Sequence, residues 1–174
     1  MNAFCVLAYP QISKEDFDLI QSFRSKYDRR YEYFNPHFTL VFPAFELNEN
    51  EFVSHVIKHA EKFSKFDFCI KSATSVSDYF SNYRDVFLVP DEGNSNFIRI
   101  RDALYKDILI THLRTDIPYI PHIVIGDDID PFFSINLANQ WNEADIIIKG
   151  TILKLSIESY DGTNLKNIED IVLK

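Results

Sequence analysis

Apolar residues follow two different periods along the chain, and these periods predict a mixture of helices and strands. Side chains on one face of a helix recur every three to four residues, whereas successive side chains in a strand point to opposite faces. The helical period is found over residues 13–30, 48–63, 96–109 and 132–141. Short apolar or alternating runs predict strands at residues 2–9, 36–43, 66–73, 85–89, 121–126, 146–159 and 168–173.

Local signals mark the ends of several of these elements. Ser13 opens an S-K-E-D sequence, a capping-box pattern with Asp16 at the third helical position. Asp161 and Gly162 form a turn signal between the last two runs, which predicts a hairpin. The two halves also echo each other, because each has a helix followed by a short apolar strand that opens with Pro-His. This echo predicts two similar lobes rather than a repeat array, which needs more copies.

Composition excludes several classes of function. The 174 residues carry 26 acidic against 18 basic side chains, a net charge of −8, and no basic stripe of the kind that an extended nucleic-acid footprint requires. The four glycines are too far apart for a dinucleotide-binding fingerprint, and no P-loop, G-x-S-x-G, H-E-x-x-H or C-x-x-C sequence occurs. A small anionic ligand held by a few donors is still compatible with this charge.

The chain also lacks signals for membrane insertion and secretion. No apolar run approaches the roughly 18 residues of a membrane-spanning helix. A signal peptide begins with a positively charged region, but no basic residue precedes Lys14. Cys5 and Cys69 fall in predicted strands and are expected to be buried thiols. We therefore expect a cytoplasmic protein with no membrane contact. The mixed charged surface gives no reason to expect more than a monomer.

The strongest chemical signal is a pair of histidines in matching contexts. His37 lies in P-H-F-T-L, and His122 lies in P-H-I-V-I. In a strand, His37 shares a face with Thr39 and His122 shares a face with Val124, while the intervening residues face a core. If the two strands lie side by side, both imidazoles face one cleft, where one can accept a proton and the other can donate one. From spacing alone, the catalytic and structural interpretations stay about equally open.

The ordered set of motifs resembles the 2H phosphoesterase superfamily, specifically the bacterial 2'-5' RNA ligase-like proteins. Members carry two H-x-T/S motifs, and P-H-F-T-L-V-F-P at 36–43 and D-I-P-Y-I-P-H-I-V-I-G at 116–126 are similar to them. V-F-L-V-P-D-E-G from Val86 and R-D-A-L-Y from Arg101 are similar in order and spacing. The resemblance implies an α+β fold of two pseudo-symmetric lobes, each an antiparallel-rich sheet with outer helices, around a central cleft. We expect residues 1–174 to form one bilobal domain of this kind.

The resemblance implies a phosphodiesterase that needs no metal and no organic cofactor. It would act on 2',3'-cyclic or 2'-5'-linked phosphodiesters of a nucleotide or an RNA end, and its reverse reaction would be ligation. By position, His37 and His122 would be the catalytic acid–base pair, and Thr39 would hydrogen-bond a phosphate oxygen. The sequence leaves open which histidine is the base.

One position of the substrate-binding surface departs from the family pattern. Val124 stands where the second motif has Thr or Ser, so one hydroxyl donor is missing. Loss of a well-placed donor typically slows a reaction by about 10²–10³-fold. Two alternatives therefore stay open: a weakened or non-catalytic module that binds nucleotides or RNA ends, and a purely structural interaction protein. Asp127 and Asp128 would also repel phosphate if they faced the cleft.

Other side chains near the motifs are candidates for substrate contact. Phe42 or Tyr119 could stack on a base, although core packing is favoured for most aromatic residues in this Phe- and Tyr-rich chain. Arg114 lies in a predicted loop and could hold phosphate. For Arg84 a surface ion pair is favoured, and His112 is assigned no role.

Two further clusters suggest metal binding more weakly. His55 and His59 are four residues apart on one predicted helical face, but the glutamate of H-E-x-x-H is absent and a solvated face is favoured. Asp127, Asp128 and Asp130 do not keep the spacing of an EF-hand. A turn with helix-capping carboxylates is favoured there.

Overall fold

The computed structural model describes residues 3–174, which form nine strands, four α-helices and one 3₁₀ helix. The strands are β1 Ala3–Ala8, β2 Gln11–Ile12, β3 Phe38–Ala44, β4 Phe66–Ser77, β5 Arg84–Glu92, β6 Ile123–Asp128, β7 Ile148–Ile152, β8 Lys154–Tyr160 and β9 Leu165–Val172. The helices are α1 Lys14–Tyr27, α2 Glu49–Ala60, α3 Asn94–Leu104 and α4 Pro131–Glu143, and the 3₁₀ helix covers Asp107–His112. Asn2, where the first predicted strand begins, lies outside the described residues.

The strands form two antiparallel sheets. One sheet has four strands in the order β3-β1-β8-β9, and the other has five in the order β2-β7-β4-β5-β6. Helix α3 packs against β3 and α2 packs against β9, so these two helices cover the four-stranded sheet. Helices α1 and α4 cover the five-stranded sheet, where both contact β6. The predicted α+β fold of two lobes, each a sheet with outer helices, is confirmed.

Two very short connections carry the chain from one sheet to the other. Only Tyr9 and Pro10 separate β1 from β2, and only Leu153 separates β7 from β8. In both places the two flanking strands belong to different sheets. The single strand predicted over residues 146–159 is therefore wrong, because its two halves bond to different partner strands and the chain changes sheet at Leu153.

The helix ends show where local chemistry decides the boundary. The Ser13 hydroxyl accepts a hydrogen bond from Asp16 N (3.0 Å), which confirms the predicted cap of α1. This helix ends at Tyr27 rather than near residue 30, since Asp28 takes an extended conformation (φ −112°, ψ 110°). The third helix ends at Leu104 rather than at residue 109. The next residue, Tyr105, has φ −79° and ψ 58°, which lie outside the right-handed helical region.

A continuous apolar core fills the space between the sheets and the helices. Phe38 of β3 and Phe97 of α3 are fully buried, with ring centroids 4.2 Å apart. Trp141 of α4 meets the edge of Phe23 at 5.4 Å on the other side of the molecule. The two cysteines are free, buried thiols, as expected. None of the helices within residues 3–174 has the length and apolar character needed to cross a bilayer.

Candidate active site

The strand alternation predicted for the first histidine motif is present. Phe38 and Leu40 are 0% and 1% exposed and point into the core. Thr39 is half-buried, and its side chain lies with that of His37 on the wall of a cavity between the two sheets. His37 itself comes immediately before β3, so it lies just outside the hydrogen-bonded part of the strand.

The second motif repeats this arrangement on the other sheet. Ile123 and Ile125 are fully buried, while His122 and Val124 are half-buried and line the same cavity. Strands β3 and β6 are not neighbours, however, since each stands at the edge of a different sheet. The two imidazoles therefore share one cavity because the lobes face each other, and not because the two strands lie side by side.

Both imidazoles are fixed in the same way. Nδ1 of His37 bonds to the carbonyl oxygen of Asn35 (2.7 Å), and Nδ1 of His122 bonds to the carbonyl oxygen of Ile120 (2.5 Å). A carbonyl can only accept, so each Nδ1 carries the proton in the neutral ring and Nε2 carries the lone pair. Two matching proton acceptors are thereby presented to one cavity.

Aromatic side chains complete the surroundings of the two rings. The ring of His122 stacks on Phe87 of β5, with centroids 3.5 Å apart and planes 10° apart. His37 meets the edges of Tyr9 and Phe34, with centroids 6.0 and 6.2 Å away. These contacts hold each ring in one orientation. They also replace water around it, which disfavours the charged form.

Burial lowers the pKa of both histidines. The pKa of His122 falls from 6.5 to about 4, chiefly because the ring is desolvated, and the nearby His37 and Arg30 lower it further. Desolvation also lowers the pKa of His37, and Arg24 and Arg30 act in the same direction. Both imidazoles are therefore mostly neutral at pH 7 in the free protein.

The cavity that holds both rings has a volume of about 830 Å³. Pockets that bind small molecules typically measure about 300–1,000 Å³. Every residue that the sequence analysis assigned to catalysis or substrate binding lines this cavity: His37, Thr39, Phe42, Arg114, Tyr119, His122 and Val124.

Comparison with known proteins identifies the family. The profile described as the 2'-5' RNA ligase superfamily matches residues 10–164, which include both histidine motifs. The chain belongs to the 2'-5' RNA ligase superfamily. The resemblance seen in the sequence is thereby confirmed for most of the length of the chain.

Curated relatives of this superfamily member come from bacteria. A provisionally named phosphoesterase of Bacillus pumilus (strain SAFR-032) is 29% identical over 124 residues, which are 70% of this chain and 67% of that protein. Similarly named proteins of Bacillus licheniformis and Geobacillus sp. are 27% and 28% identical over 66% and 67% of this chain. Each of these two matches spans 65% of the relative's own length.

Solved structures share the fold of this superfamily member. E. coli LigT complexed with 3'-AMP matches with a TM-score of 0.60 at 14% identity, covering 99% of this chain and 98% of that one. TT0787 of Thermus thermophilus matches with a TM-score of 0.64 at 12% identity, covering 98% of this chain and 97% of that one. At these identities the likeness establishes the two-lobed architecture alone.

The other predicted contact residues have protein partners within this cavity. The Tyr119 hydroxyl donates to Thr39 O (3.0 Å), so it ties the second motif's loop to the strand of the first. Phe42 is half-buried and meets Phe80 edge-on at 6.4 Å. Arg114 bonds Asp116 through Nε (2.8 Å) and Nη2 (2.7 Å). Its guanidinium would have to share or leave this carboxylate to bind phosphate.

Buried charges in the cavity wall were not found by sequence reasoning. Arg24 bonds Asp28 (2.8 Å), and the side chains of both residues are almost fully buried. Arg30 bonds Asp28 and Asp85, and it lies 3.7 Å from Asp127. Arg24 and Asp28 have the i,i+4 spacing of a helical ion pair, which normally indicates solvent, whereas Asp85 and Asp127 reach Arg30 from other elements. One side of the cavity wall is therefore built from arginine and aspartate side chains that pair closely with each other.

Several predictions about acidic and basic side chains can now be decided. Asp127 and Asp128 do not line the cavity, so they present no charge to a ligand there. Asp130 caps α4 by accepting from Phe132 N (2.9 Å), as expected for a helix-capping carboxylate. The ion pair predicted for Arg84 is wrong, because its guanidinium donates to the Ser75 hydroxyl and carbonyl and to the Ser77 hydroxyl.

The solvated face predicted for His55 and His59 is also wrong. Their exposed fractions are only 7% and 8%. Helix α3 packs against α2 on this side, and the turn that follows α3 covers the two rings. Neither histidine lines the cavity between the lobes.

Proposed function

We propose that this protein is a phosphodiesterase that opens 2',3'-cyclic phosphates and cleaves 2'-5' linkages of nucleotides or RNA ends. The observation that carries the proposal is the matched anchoring of His37 and His122. Each ring is held through Nδ1, and each offers Nε2 to the same cavity. Membership of the 2'-5' RNA ligase superfamily supports the same class of reaction.

In the proposed reaction the two imidazoles carry all proton transfers. One neutral imidazole takes a proton from a water molecule, whose oxygen attacks phosphorus and forms a new P–O bond. The other imidazole is protonated at the start. It gives its proton to the ribose oxygen as the bond between phosphorus and that ribose oxygen breaks. A cyclic phosphate thereby becomes a phosphomonoester and a free hydroxyl. If a 5'-hydroxyl takes the place of water, its oxygen bonds to phosphorus as the P–O3' bond breaks, and the product is a 2'-5' linkage. Reversal of that step cleaves the linkage and restores the cyclic phosphate.

The remaining cavity residues would bind the phosphate and the base. The Thr39 hydroxyl can donate to a non-bridging phosphate oxygen, whereas Val124 contributes only methyl groups at the matching position. Phe42 and Tyr119 offer aromatic surface to a base. Solved E. coli LigT structures complexed with 3'-AMP, NADP+ and ATP support a nucleotide-sized ligand for this fold.

Turnover assays with EDTA present test the proposal directly. The substrates are 2',3'-cyclic nucleotides and a 2',5'-linked dinucleotide, and the proteins are wild type, His37→Ala and His122→Ala. Turnover by wild type that either substitution abolishes would support the two-histidine mechanism. Equal turnover by the substituted proteins would reject it, because the imidazoles would then carry no step.

A second candidate function is a module that binds nucleotides or RNA ends without turning them over. Val124 favours it, since the cavity lacks the second hydroxyl donor. This module predicts binding of 3'-AMP to the wild-type protein with no turnover of any of the substrates above. A His122 resonance that shifts on addition of 3'-AMP would locate that binding at the cavity.

A further inference from the structure

Two buried histidines lie together on α2, outside the cavity between the lobes. His55 and His59 are one helical turn apart, and their ring centroids are 4.4 Å apart. Both are less than a tenth exposed, although histidines on a lone helix face would be solvated. A buried pair of imidazoles needs polar partners, because desolvated nitrogens are costly without them.

A third donor reaches the pair from the turn after α3. One carboxylate oxygen of Asp107 lies 3.1 Å from His59 Nε2. Asp107 has φ +44°, in the left-handed region that non-glycine residues seldom occupy. This backbone places the Asp107 carboxylate, which is 55% exposed, against the His59 ring. One nitrogen from each ring and one oxygen of Asp107 all lie within 4.8 Å of one another.

The backbone bond of His55 completes a pattern found at metal sites. His55 Nε2 lies 2.8 Å from the carbonyl oxygen of Leu104, which can only accept a proton. Nδ1 of His55 is then the nitrogen with a lone pair. Imidazoles that bind metals usually donate their second N–H to a carbonyl or a carboxylate in this way, which fixes the tautomer.

We propose that His55, His59 and Asp107 form a zinc site with two nitrogen ligands, one oxygen ligand and a fourth position for water. Zinc bonds of about 2.0–2.1 Å in a tetrahedron place ligand atoms about 3.3 Å apart. The His59–Asp107 separation of 3.1 Å is already close to that value. The ion would join α2 to the turn after α3. Its role is structural, and the proposed phosphodiester chemistry does not use it.

One basic side chain competes with zinc for the same carboxylate. Lys58 Nζ lies 3.2 Å from Asp107 Oδ2, the oxygen that also contacts His59. The Lys58 side chain is 68% exposed, so it can turn into solvent when a cation takes its place. Removal of this ammonium group should therefore strengthen zinc binding, an effect opposite in sign to loss of a ligand.

Competition against a chromophoric chelator, with Zn²⁺ alone as the probe, measures the affinity. The starting protein carries His37→Asn and His122→Asn, so that the cavity imidazoles contribute nothing. We expect one equivalent of zinc to bind. Asp107→Asn and His59→Gln should each weaken binding at least tenfold, and Lys58→Gln should strengthen it at least threefold. Asn tolerates the left-handed conformation well, so Asp107→Asn preserves the turn.

Asp145→Asn is the matched control. Asp145 is also an exposed aspartate with positive φ (51°). It is not one of the three residues that form the proposed zinc site. This substitution should leave zinc affinity unchanged. Equal affinities of the Asp107→Asn and Asp145→Asn proteins would overturn the proposal, as would failure of the starting protein to bind zinc.

Thermal unfolding distinguishes this site from binding elsewhere. A ligand that binds only the folded state raises the unfolding midpoint. Zinc should raise the midpoint of the starting protein and of the Asp145→Asn protein, but not that of the Asp107→Asn protein. A zinc-induced rise that survives Asp107→Asn would place the ion at another site and reject the assignment.

Discussion

His37 and His122 are anchored by the same bond, from Nδ1 to the carbonyl oxygen of the residue two positions earlier. The two residues immediately precede strands of different sheets, β3 and β6, so this identity reflects the pseudo-symmetry of the lobes. Its chemical effect is that both rings present the same nitrogen to one cavity. The roles of Nδ1 and Nε2 can therefore be separated experimentally.

The side-chain amide of asparagine lies near the position of Nδ1 of an imidazole, whereas that of glutamine lies near the position of Nε2. At His122, Asn places an amide N–H near the position of Nδ1 and can keep the bond to Ile120 O, whereas it loses Nε2. We expect His122→Asn to fold with little change in unfolding midpoint and to lose about 10²–10⁴-fold in kcat, the usual contribution of general acid–base catalysis. Turnover of 2',3'-cyclic nucleotides with EDTA present measures this loss.

His59→Asn is the matched control for that loss. It removes an imidazole that does not line the cavity, so turnover with EDTA present should be unchanged. A His122→Asn protein as active as this control would show that Nε2 of His122 takes no part in the reaction.

The lowered histidine pKa values predict an acidic optimum. The reactive protein needs one protonated and one neutral imidazole. Above the higher of the two pKa values both rings are neutral and no acid is available, and below about pH 4 His122 is protonated as well. We expect kcat/KM to be maximal below pH 6.5, the ordinary pKa of histidine, and to fall through neutrality. A rate that rises steadily from pH 6 to pH 8 would contradict this assignment.

The same pKa values affect stability. The folded-state pKa of His122 lies near 4 and the unfolded value lies near 6.5, so the unfolded chain binds more protons between these pH values. Stability from this group is present above pH 6.5 and is lost as pH falls toward 4. The unfolding midpoint should therefore drop less between pH 7 and pH 5 in His122→Asn than in wild type. Equal drops in the two proteins would mean that the His122 pKa is not lowered by folding.

Val124→Thr tests whether the missing hydroxyl limits the reaction. Thr has nearly the shape of Val, and the half-buried position can accept a hydroxyl that faces the cavity. We expect kcat to rise by up to about 10²-fold, since one phosphate donor is worth about that much. Val124→Ala, which changes shape without adding a donor, should give no increase. A fall in kcat with Val124→Thr would mean that the apolar surface at this position is required.

Arg30 tests the buried charges of the cavity wall. It pairs with Asp28 and Asp85, whose side chains are 1% and 8% exposed. Burial already raises the pKa of Asp85, and Arg30 partly offsets that effect. Arg30→Met should lower the free energy of unfolding by about 3 kcal/mol in urea titrations, the usual result of leaving a buried charge unpaired. Arg99→Met, at an exposed site on α3, should change it by less than about 0.5 kcal/mol.

Strand alternation and the Pro-His echo were sufficient to predict that His37 and His122 face one cavity, and their catalytic role stays a prediction. Phe38 and Leu40 are strongly apolar, so their burial decides which way His37 and Thr39 point. The positions of Arg24 and Arg30 in the wall could not be predicted, because Arg24 and Asp28 have the spacing of an ordinary surface pair on one helix and Asp85 reaches Arg30 from another element. That residues 1–174 form one domain and a monomer stays a prediction, which coincident unfolding transitions and a sedimentation measurement would check.

His55 and His59 show the limit of a single-element interpretation. On α2 alone they belong to a polar face, and the pattern indicates solvent. Only the packing of α3, and the unusual backbone of Asp107, convert that face into a buried contact. Likewise, no local signal marks Leu153 as the point where one strand becomes two, since apolar residues continue on both sides of it.

The two short crossings between the sheets determine how the cleft can move. Tyr9 and Pro10 form one crossing and Leu153 forms the other, so only one or two residues join the sheets at each of these places. Any opening of the cleft must therefore pivot on these few residues. For the phosphodiesterase proposed above, these residues would then set how wide the cleft opens to a substrate.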